Sequence, residues 1–335
     1  MHAGKVLGSV TVRRFQSLQS LVGLLAALVV VFVGFSTQVK TFATLSNVET
    51  ISRQSVIVTL AALGMTYVII VGGIDLSVGS TAALAGVAVA KLVGDTGHAG
   101  MSPLLAALLA LLAATACGAL NGFLITRLKV VPFIVTLGTY LSIRGAAKWI
   151  GNEQKVDAKE TWLNDVLSTL KPGDRWHLLP WGVWFTLLLA VATGYGLKYL
   201  RFGRHVVAVG SNEAAARLCG VPVERVKLGV YAISGLFAGL AGLMNFSRLT
   251  VGDPTALVGL ELDAIAAVVI GGASLSGGEG SIAGSLLGAL IISVLRAGAG
   301  QMGLPNYIQE IVTGGIIVLA VWLDRVRKAR ALAAG

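Results

Sequence analysis

The sequence carries little charge for its length. Only 13% of its 335 residues are Asp, Glu, Lys or Arg, whereas 55% are hydrophobic. Soluble domains have roughly 25% charged residues. This chain therefore has too few charged residues for the surface of a soluble protein of the same length. The 26 basic residues outnumber the 16 acidic ones, but they flank apolar runs and no aromatic residues alternate with them. This arrangement argues against a nucleic-acid partner and indicates a protein embedded in a lipid bilayer.

Cysteine and histidine are also scarce. Cys117 lies in an apolar run and Cys219 in a basic loop, so we expect no disulfide, and there is no CxxC motif. The 4 histidines have no metal-ligand spacing, so we predict no metal site. The first apolar run, Leu18–Phe35, is too long for a signal-peptide core and lacks a cleavage site after it.

Long apolar runs are what the chain has in abundance. A membrane-spanning helix needs about twenty apolar residues, and the sequence divides into about ten such segments. They are Leu18–Phe35, Ser55–Val71, Gly79–Val93, Pro103–Ile125, Val131–Ile150, Trp181–Leu200, Leu228–Phe246, Leu260–Gly271, Ile282–Leu295 and Tyr307–Leu323. The third, eighth and ninth are short and could be half-helices, tilted or partly re-entrant, which leaves eight or nine spans as the alternative. We predict an all-α integral membrane protein with about ten transmembrane helices.

Basic residues in the short loops indicate the orientation. They concentrate on the side that would hold both termini and the 201–227 loop, and the positive-inside rule places that side in the cytoplasm. The predicted organisation is a cytoplasmic segment at 1–17, one transmembrane domain at 18–324 and a basic cytoplasmic tail at 325–335. The 151–180 loop is then external, and we interpret Trp162, Trp176 and Trp181 as interfacial anchors.

Two near-copies of one glycine-rich pattern lie in the two halves of the chain. They read Gly72-Gly73-Ile74-Asp75-Leu76-Ser77 and Gly271-Gly272-Ala273-Ser274-Leu275-Ser276. Each ends an apolar run, and paired helix interruptions of this kind indicate a translocation path, because non-helical backbone at membrane depth must be satisfied by protein or a cavity. The candidate path residues are Gly72, Gly73, Asp75, Ser77, Ser80, Asn121, Gly271, Gly272, Ser274 and Ser276.

Charged residues near the spans leave alternatives open. Asp75 could cap the following helix or take part in the substrate path, and the two roles are compatible. Glu261 and Asp263 could form a polar vestibule or simply cap and solvate a helix start. The remaining cations at span ends, Arg144, Lys148 and Arg296, are interpreted as side chains that extend to the interface.

The sequence offers no means of hydrolysing ATP, and we predict that it is not an enzyme. Leu275–Glu279 reads LSGGE, similar to the signature of ABC ATPases, but no GxxxxGK[ST] phosphate loop accompanies it, so we interpret the match as coincidence. The span interiors are almost free of charge, which argues against an ion-coupled transporter. The driving energy is therefore expected from a partner.

The 201–227 loop contains a segment suited to docking that partner. Ser211 or Asn212 can cap a short helix, Glu213 suits its positive end, and Gly220 can adopt the left-handed conformation after it. We predict a cytoplasmic helix of about two turns that lies in a groove of a soluble partner.

Four segments resemble a known family. They are Gly72–Ser80 (GGIDLSVGS), Val131–Thr139 (VPFIVTLGT) with Arg144-Gly145, Gly203–Val221 (GRHVVAVGSNEAAARLCGV) and Leu262–Ser281 (LDAIAAVVIGGASLSGGEGS). Together they resemble the permeases of ribose, xylose and arabinose type ABC sugar importers, from about Leu45 to Asp324. The resemblance implies a fold like that of the vitamin B12 importer permease.

The resemblance also implies partners and roles. Such a permease forms a dimer in the bacterial inner membrane, receives a sugar from a periplasmic binding protein and is driven by a cytoplasmic ATPase that binds ATP and magnesium. The implied ATPase-coupling residues are Gly210, Asn212, Glu213, Ala215, Arg217 and Gly220. A nucleoside, an autoinducer sugar or a branched-chain amino acid remain alternative substrates, and a scaffold without transport is a further alternative. Whether the dimer is of identical subunits stays open.

Overall fold

The computed structural model describes residues 3–94, 100–170, 173, 178–305, 307–316, 318, 319 and 322. The helices are α1 Ala3–Gln38, α2 Leu45–Ile70, α3 Val78–Val93, α4 Pro103–Leu128, α5 Pro132–Ile150, α6 Trp162–Asp165, α7 Trp181–Tyr199, α8 Arg201–Ser211, α9 Glu213–Leu218, α10 Val223–Leu249, α11 Leu260–Ile270 and α12 Ile282–Gln301. Residues 307–316 are also helical, and two short strands, β1 Val156–Asp157 and β2 Val251–Gly252, pair antiparallel.

Among the described residues, five helices are long and apolar enough to cross a membrane, and α7 with α8, bent by 68°, would make a sixth. The chain is therefore a multi-pass helical membrane protein, as predicted. Several helices begin earlier than their apolar cores: α1 begins at Ala3, α2 at Leu45 and α10 at Val223. The predicted boundary between the N-terminal segment and the transmembrane domain, at residues 17 and 18, falls inside α1. The helix continues into polar residues that a search for apolar runs does not include. The 325–335 tail and Trp176 lie outside the described residues.

The connections between helices gather at two ends of the bundle. The basic end holds the α4–α5 turn, α8, α9 and the loop between α11 and α12. The ladder end holds β1, β2, α6 and the start of α11. Basic side chains of the α4–α5 turn and the α7–α10 region lie at the first end: Arg127, Lys129, Lys198, Arg201, Arg204, Arg217, Arg225 and Lys227.

Small residues bring the central helices into close contact. α10 packs along α4, and a Cβ added at Gly118 would lie 2.1 Å from the carbonyl oxygen of Tyr231. A Cβ at Gly242 in α10 would lie 2.0 Å from the carbonyl oxygen of Ala82 in α3. Helices in lipid gain little from apolar burial against each other, so close backbone packing through glycine is a main source of their association.

Residues 151–170, the described first part of the 151–180 loop, cover the ladder end. β1 pairs with β2, with Val156 opposite Gly252. The hydroxyl of Ser247 in α10 accepts a hydrogen bond from the backbone N–H of Leu167 at 2.9 Å and donates to the carbonyl of Leu163 at 2.5 Å. Trp162 and Trp181 are 53% and 57% exposed, which is compatible with their predicted interfacial role.

Candidate translocation and coupling site

The two glycine breaks have the same backbone turn. α2 ends at Ile70 and α11 at Ile270, and the left-handed residue two positions later is Gly72 with φ +84° or Gly272 with φ +90°. Each turn closes with a hydrogen bond between residues five positions apart. Gly73 N–H donates to the carbonyl of Val68 at 2.8 Å, and Ala273 N–H donates to that of Val268 at 3.1 Å. The left-handed residue is the first glycine of the Gly72-Gly73 pair but the second of the Gly271-Gly272 pair. The two turns are therefore offset by one residue when the two sequence patterns are aligned.

Asp75 is the centre of a buried polar cluster after the first break. Its side chain is 1% exposed. One carboxylate oxygen accepts hydrogen bonds from the backbone N–H and hydroxyl of Ser77, at 3.0 and 2.6 Å, and the other accepts from the hydroxyl of Ser234 at 2.8 Å. Asn121 donates to the hydroxyl of Ser77 at 2.8 Å. The cluster joins the start of α3 to α4 and α10.

This geometry corrects one of the two roles considered for Asp75. The N-cap of α3 is Ser77, not Asp75, and the Asp75 carboxylate satisfies the N–H of that cap residue instead. Ser77, Ser80 and Asn121 are also buried, at 2%, 0% and 0% exposure. In this conformation the four polar path residues of the first half therefore lie inside the helix bundle, and the hydrogen bonds of Asp75, Ser77 and Asn121 link α3 to α4 and α10. Their participation in transport stays a prediction.

The second break is richer in glycine, and of its predicted path residues Ser274 is buried, at 1% exposure, whereas Gly272 and Ser276 are exposed. The hydroxyl of Ser274 accepts a weak hydrogen bond from Ser276 N–H at 3.2 Å. Two further left-handed glycines follow, Gly277 with φ +84° and Gly278 with φ +79°. The loop thus passes close to other backbone segments without side chains between them.

The two breaks meet α8 at a single backbone junction. The N–H of Gly278 donates to the carbonyl of Ile70, the last residue of α2, at 2.8 Å. A Cβ added at Gly210 near the end of α8 would lie 1.7 Å from that carbonyl oxygen and 2.7 Å from the nitrogen of Gly278. Gly210, predicted only as a coupling residue, therefore touches both glycine breaks.

The predicted docking helix is α9, directly after this junction. Asn212 is its N-cap, and its side-chain oxygen accepts from Ala215 N–H at 2.9 Å. Gly220 follows the helix with φ +80°. These features confirm the predicted caps, and the 6 residues of α9 agree with the predicted length of about two turns. Ser211, the alternative cap, is the last residue of α8.

Ion pairs attach α9 to the start of α10. Glu213 contacts Lys227 at 2.7 Å and Arg217 at 3.4 Å, and Arg217 contacts Glu224 at 2.6 Å. The hydrogen bond that Lys227 donates to Glu213 holds the pKa of Glu213 below its usual value, and the one that Arg217 donates to Glu224 raises the pKa of Arg217. A groove of about 360 Å³ separates these residues from the α4–α5 turn, which contributes Lys129 and Pro132 to its wall.

Of the cations predicted to extend to the interface, Arg144 is buried instead, and Arg296, which is exposed, pairs with an acid. Arg144 is only 7% exposed, and its guanidinium donates to the carbonyls of Pro254 and Ala256 at 2.9 and 2.7 Å. Arg296 contacts Asp263 at 2.7 Å, and the Asp263 side chain is 1% exposed. A charge inside an apolar run needs such a partner. The sequence therefore indicated that each of these cations has a partner, but it did not indicate which distant residue that partner is.

Glu261 and Asp263 are buried and the N-cap of α11 is Gly259, so the alternative in which they simply cap and solvate the helix start is wrong. They are 7% and 1% exposed. Glu261 accepts a hydrogen bond from Gly259 N–H at 3.2 Å, and Asp263 uses one oxygen for Arg296. Among the described residues, no group of three or more His, Cys, Asp or Glu could hold a metal ion.

Comparison with known proteins defines the class to which this architecture belongs. Residues 47–321 match the family described as "Branched-chain amino acid transport system / permease component". The chain belongs to this family of transport-system permeases and is therefore a membrane transport component and not an enzyme. No solved structure matches the chain.

Several curated relatives cover most of the chain. The ribose import permease protein RbsC of Escherichia coli strain K12 is 41% identical over 300 residues, which are 90% of this chain and 92% of that protein. The L-arabinose ABC transporter permease protein AraH of Azospirillum brasilense is 35% identical over 306 residues, 91% of this chain and 88% of that protein. The D-allose transport system permease protein AlsC of E. coli K12 is 36% identical over 303 residues, 90% of each chain.

Proposed function

We propose that this chain is the permease subunit of an ABC importer that moves a monosaccharide, ribose or another pentose first among them, across the bacterial inner membrane. The names of the relatives support a sugar as the substrate. The observation that carries the mechanism is the junction at Gly210, where the backbone of α8 contacts the ends of both glycine breaks.

The junction offers a route by which ATP-driven motion reaches the bundle. A cytoplasmic ATPase, which binds the ATP and magnesium that this chain does not, docks on α9 and the groove beside it. Because Gly210 has backbone on both sides and no side chain to yield, a displacement of α8 must displace Ile70 and Gly278 together. Switching between outward and inward access then follows from a coupled shift of α2 and the α11–α12 loop.

The finer architecture belongs to the same proposal. We take α3, α5, α11 and the 307–316 helix as additional crossings, giving ten spans in a fold like the vitamin B12 importer permease. The basic end is cytoplasmic with both termini, as the positive-inside rule favours, and the ladder end receives the sugar from a periplasmic binding protein. A second permease subunit, identical to this one, completes the pathway.

Uptake into proteoliposomes tests the substrate and the coupling helix. The importer would be assembled from this chain, its ATPase and its binding protein, and supplied with labelled ribose, xylose, arabinose, galactose or allose. ATP-dependent uptake of one sugar, abolished by Glu213→Ala with Arg217→Ala, is the expected result. Uptake of leucine or a nucleoside with no sugar uptake would contradict the sugar assignment, and full uptake by the double variant would contradict the coupling role of α9.

Native cysteine labelling tests the orientation. Cys219 is exposed and directly follows α9, so a membrane-impermeant thiol reagent should label it in inside-out vesicles and leave it unlabelled in right-side-out vesicles. Cys219→Ser provides the background for the half-buried Cys117. Labelling from the outside would reverse the proposed topology.

A further inference from the structure

Two cavities adjoin at the ladder end of the bundle. One, of about 450 Å³, lies between α11, α12 and the 307–316 helix and includes Gln309, Glu310 and Thr313 in its wall. The other, of about 290 Å³, lies between α2, α10, α11 and α12 and includes Gln54 and Arg248. Asp263, Arg296 and Val258 line both. Ligand pockets in proteins measure roughly 300 to 1,000 Å³, so the pair has room for a small solute.

The shared wall is an ion pair with unused hydrogen-bonding capacity. Arg296 donates from one terminal nitrogen to one oxygen of Asp263 at 2.7 Å. A guanidinium has five N–H donors and a carboxylate accepts at both oxygens, and within the described residues neither side chain makes another hydrogen bond. The Arg296 side chain is 41% exposed while that of Asp263 is 1% exposed. The pair therefore presents mainly donors from Arg296 to the cavities, with its charge already neutralised.

Neighbouring side chains add polar groups on both sides. Gln309 donates its amide N–H to the carbonyl of Leu304 at 2.9 Å, which leaves its amide oxygen as an acceptor. The hydroxyl of Thr313 donates to the carbonyl of Gln309 at 2.8 Å and retains its lone pairs. In the smaller cavity the buried Nε of Arg248 has no hydrogen-bond partner among the described residues.

This chemistry suits a neutral ligand with several hydroxyls. A hydroxyl both donates and accepts, so it can pair with the remaining N–H groups of Arg296 and with the oxygens of Gln309 and Thr313. The ligand needs no charge, because Asp263 already balances Arg296, and Glu310 in the wall of the larger cavity disfavours an anion.

We infer that Asp263 and Arg296, with the two cavities they separate, form a subsite for a monosaccharide at the ladder end of the permease. The inference rests on the proposed sugar import and deepens it. The subsite has low affinity, because it must accept the sugar from the binding protein and release it again. It also explains why a carboxylate is buried at the start of α11.

Protection of an introduced cysteine tests the subsite directly. The probe is Thr313→Cys in a Cys219→Ser background, within the importer of permease, ATPase and binding protein in lipid nanodiscs, where both faces are accessible. The rate of modification by a small cationic thiosulfonate would be measured with rising millimolar concentrations of ribose, and separately with leucine. Met302→Cys is the matched control, since Met302 is 48% exposed and does not line the larger cavity.

Ribose is expected to slow modification of Thr313→Cys severalfold and to leave Met302→Cys unchanged. Adding Arg296→Lys, which keeps the charge and removes the planar set of donors, should raise the ribose concentration for half-protection about tenfold. An importer that transports ribose but shows no protection overturns the subsite and leaves the proposed function standing. Equal slowing at both cysteines, or protection by leucine alone, also overturns it. An importer that takes up no sugar refutes the proposed function separately, because uptake and protection are independent measurements.

Discussion

The two glycine breaks share a backbone turn but differ in what surrounds them. After Gly72 the chain enters a buried cluster, in which Asp75 accepts hydrogen bonds from Ser77 and Ser234. After Gly272 it enters a loop with two more left-handed glycines, in which Ser276 N–H donates a hydrogen bond to the hydroxyl of the buried Ser274. The first break is thus held by a buried carboxylate cluster, whereas the second lies with its glycine backbone against α8 and the end of α2. The difference indicates that the segment after the first break anchors α3 to α4 and α10, while the end of α2 and the loop of the second break, both in contact with Gly210, move with α8.

The largest effect is expected where the two breaks meet. Gly210→Ala would place a Cβ 1.7 Å from the carbonyl oxygen of Ile70, and backbone on both sides cannot yield as a side chain would. We expect ATP-dependent uptake to fall at least about tenfold, from an overpacking cost of roughly 2–3 kcal/mol. Gly23→Ala in α1, where no atom lies within 4 Å of the added Cβ, is the control. Uptake by Gly210→Ala equal to that of the control would disprove the junction as the coupling route.

A second comparison removes the polar group at each break. Asp75→Ala would leave the hydroxyls of Ser77 and Ser234 without their acceptor in a buried site, and we expect a loss of about 3 kcal/mol in the free energy of unfolding. Ser274→Ala removes a buried neutral hydroxyl and leaves no charged group to be satisfied, so it should cost less, about 1 kcal/mol. Thermal unfolding of both variants in the same detergent measures the difference. Equal destabilisation would mean that the two breaks are held alike.

Substitution of the left-handed glycines separates strain from contact. Gly72→Ala and Gly272→Ala meet no atom within 4 Å, so each should cost only the left-handed strain of about 1–2 kcal/mol. Gly277→Ala adds a contact of 2.8 Å with the carbonyl oxygen of Gly210 and should destabilise the protein more than either. Unfolding of the three purified variants tests the order, and a Gly277→Ala variant as stable as Gly272→Ala would contradict the backbone contact.

The smallest effect concerns pH at the docking helix. Because its folded pKa lies below the ordinary value of 4.5, Glu213 stabilises α9 above about pH 4.5, and this contribution is lost as pH falls through the folded pKa. The residue is half exposed, so the contribution is under about 1 kcal/mol. Hydrogen-exchange protection of Ala216 and Val221, corrected for intrinsic rates, should decline below pH 4.5 in the wild type and decline less in Glu213→Gln, in which only the Arg217–Glu224 pair still titrates. A parallel decline in the variant would assign the effect to another group.

Local patterns predicted much of the coupling segment. Asn212 and Gly220 have the predicted roles at the two ends of α9, because caps depend on residues a few positions apart. The glycine pairs likewise predicted both helix ends, since only glycine adopts φ near +90° without strain. The offset of one residue between the two turns was invisible in the sequence, where the pairs align letter by letter.

By itself the sequence determined that this chain is a helical membrane protein interrupted by two glycine breaks, because hydrophobic length and local conformational freedom are properties of short segments. Only the tertiary structure decided which distant groups share a site. Arg296 pairs with Asp263, Ser234 with Asp75, and Gly210 lies against Ile70 and Gly278. These contacts arise from the packing of helices far apart in the chain. A buried charge or carbonyl without a hydrogen bond is costly, so the sequence can indicate that a partner exists, but it does not indicate which residue the partner is.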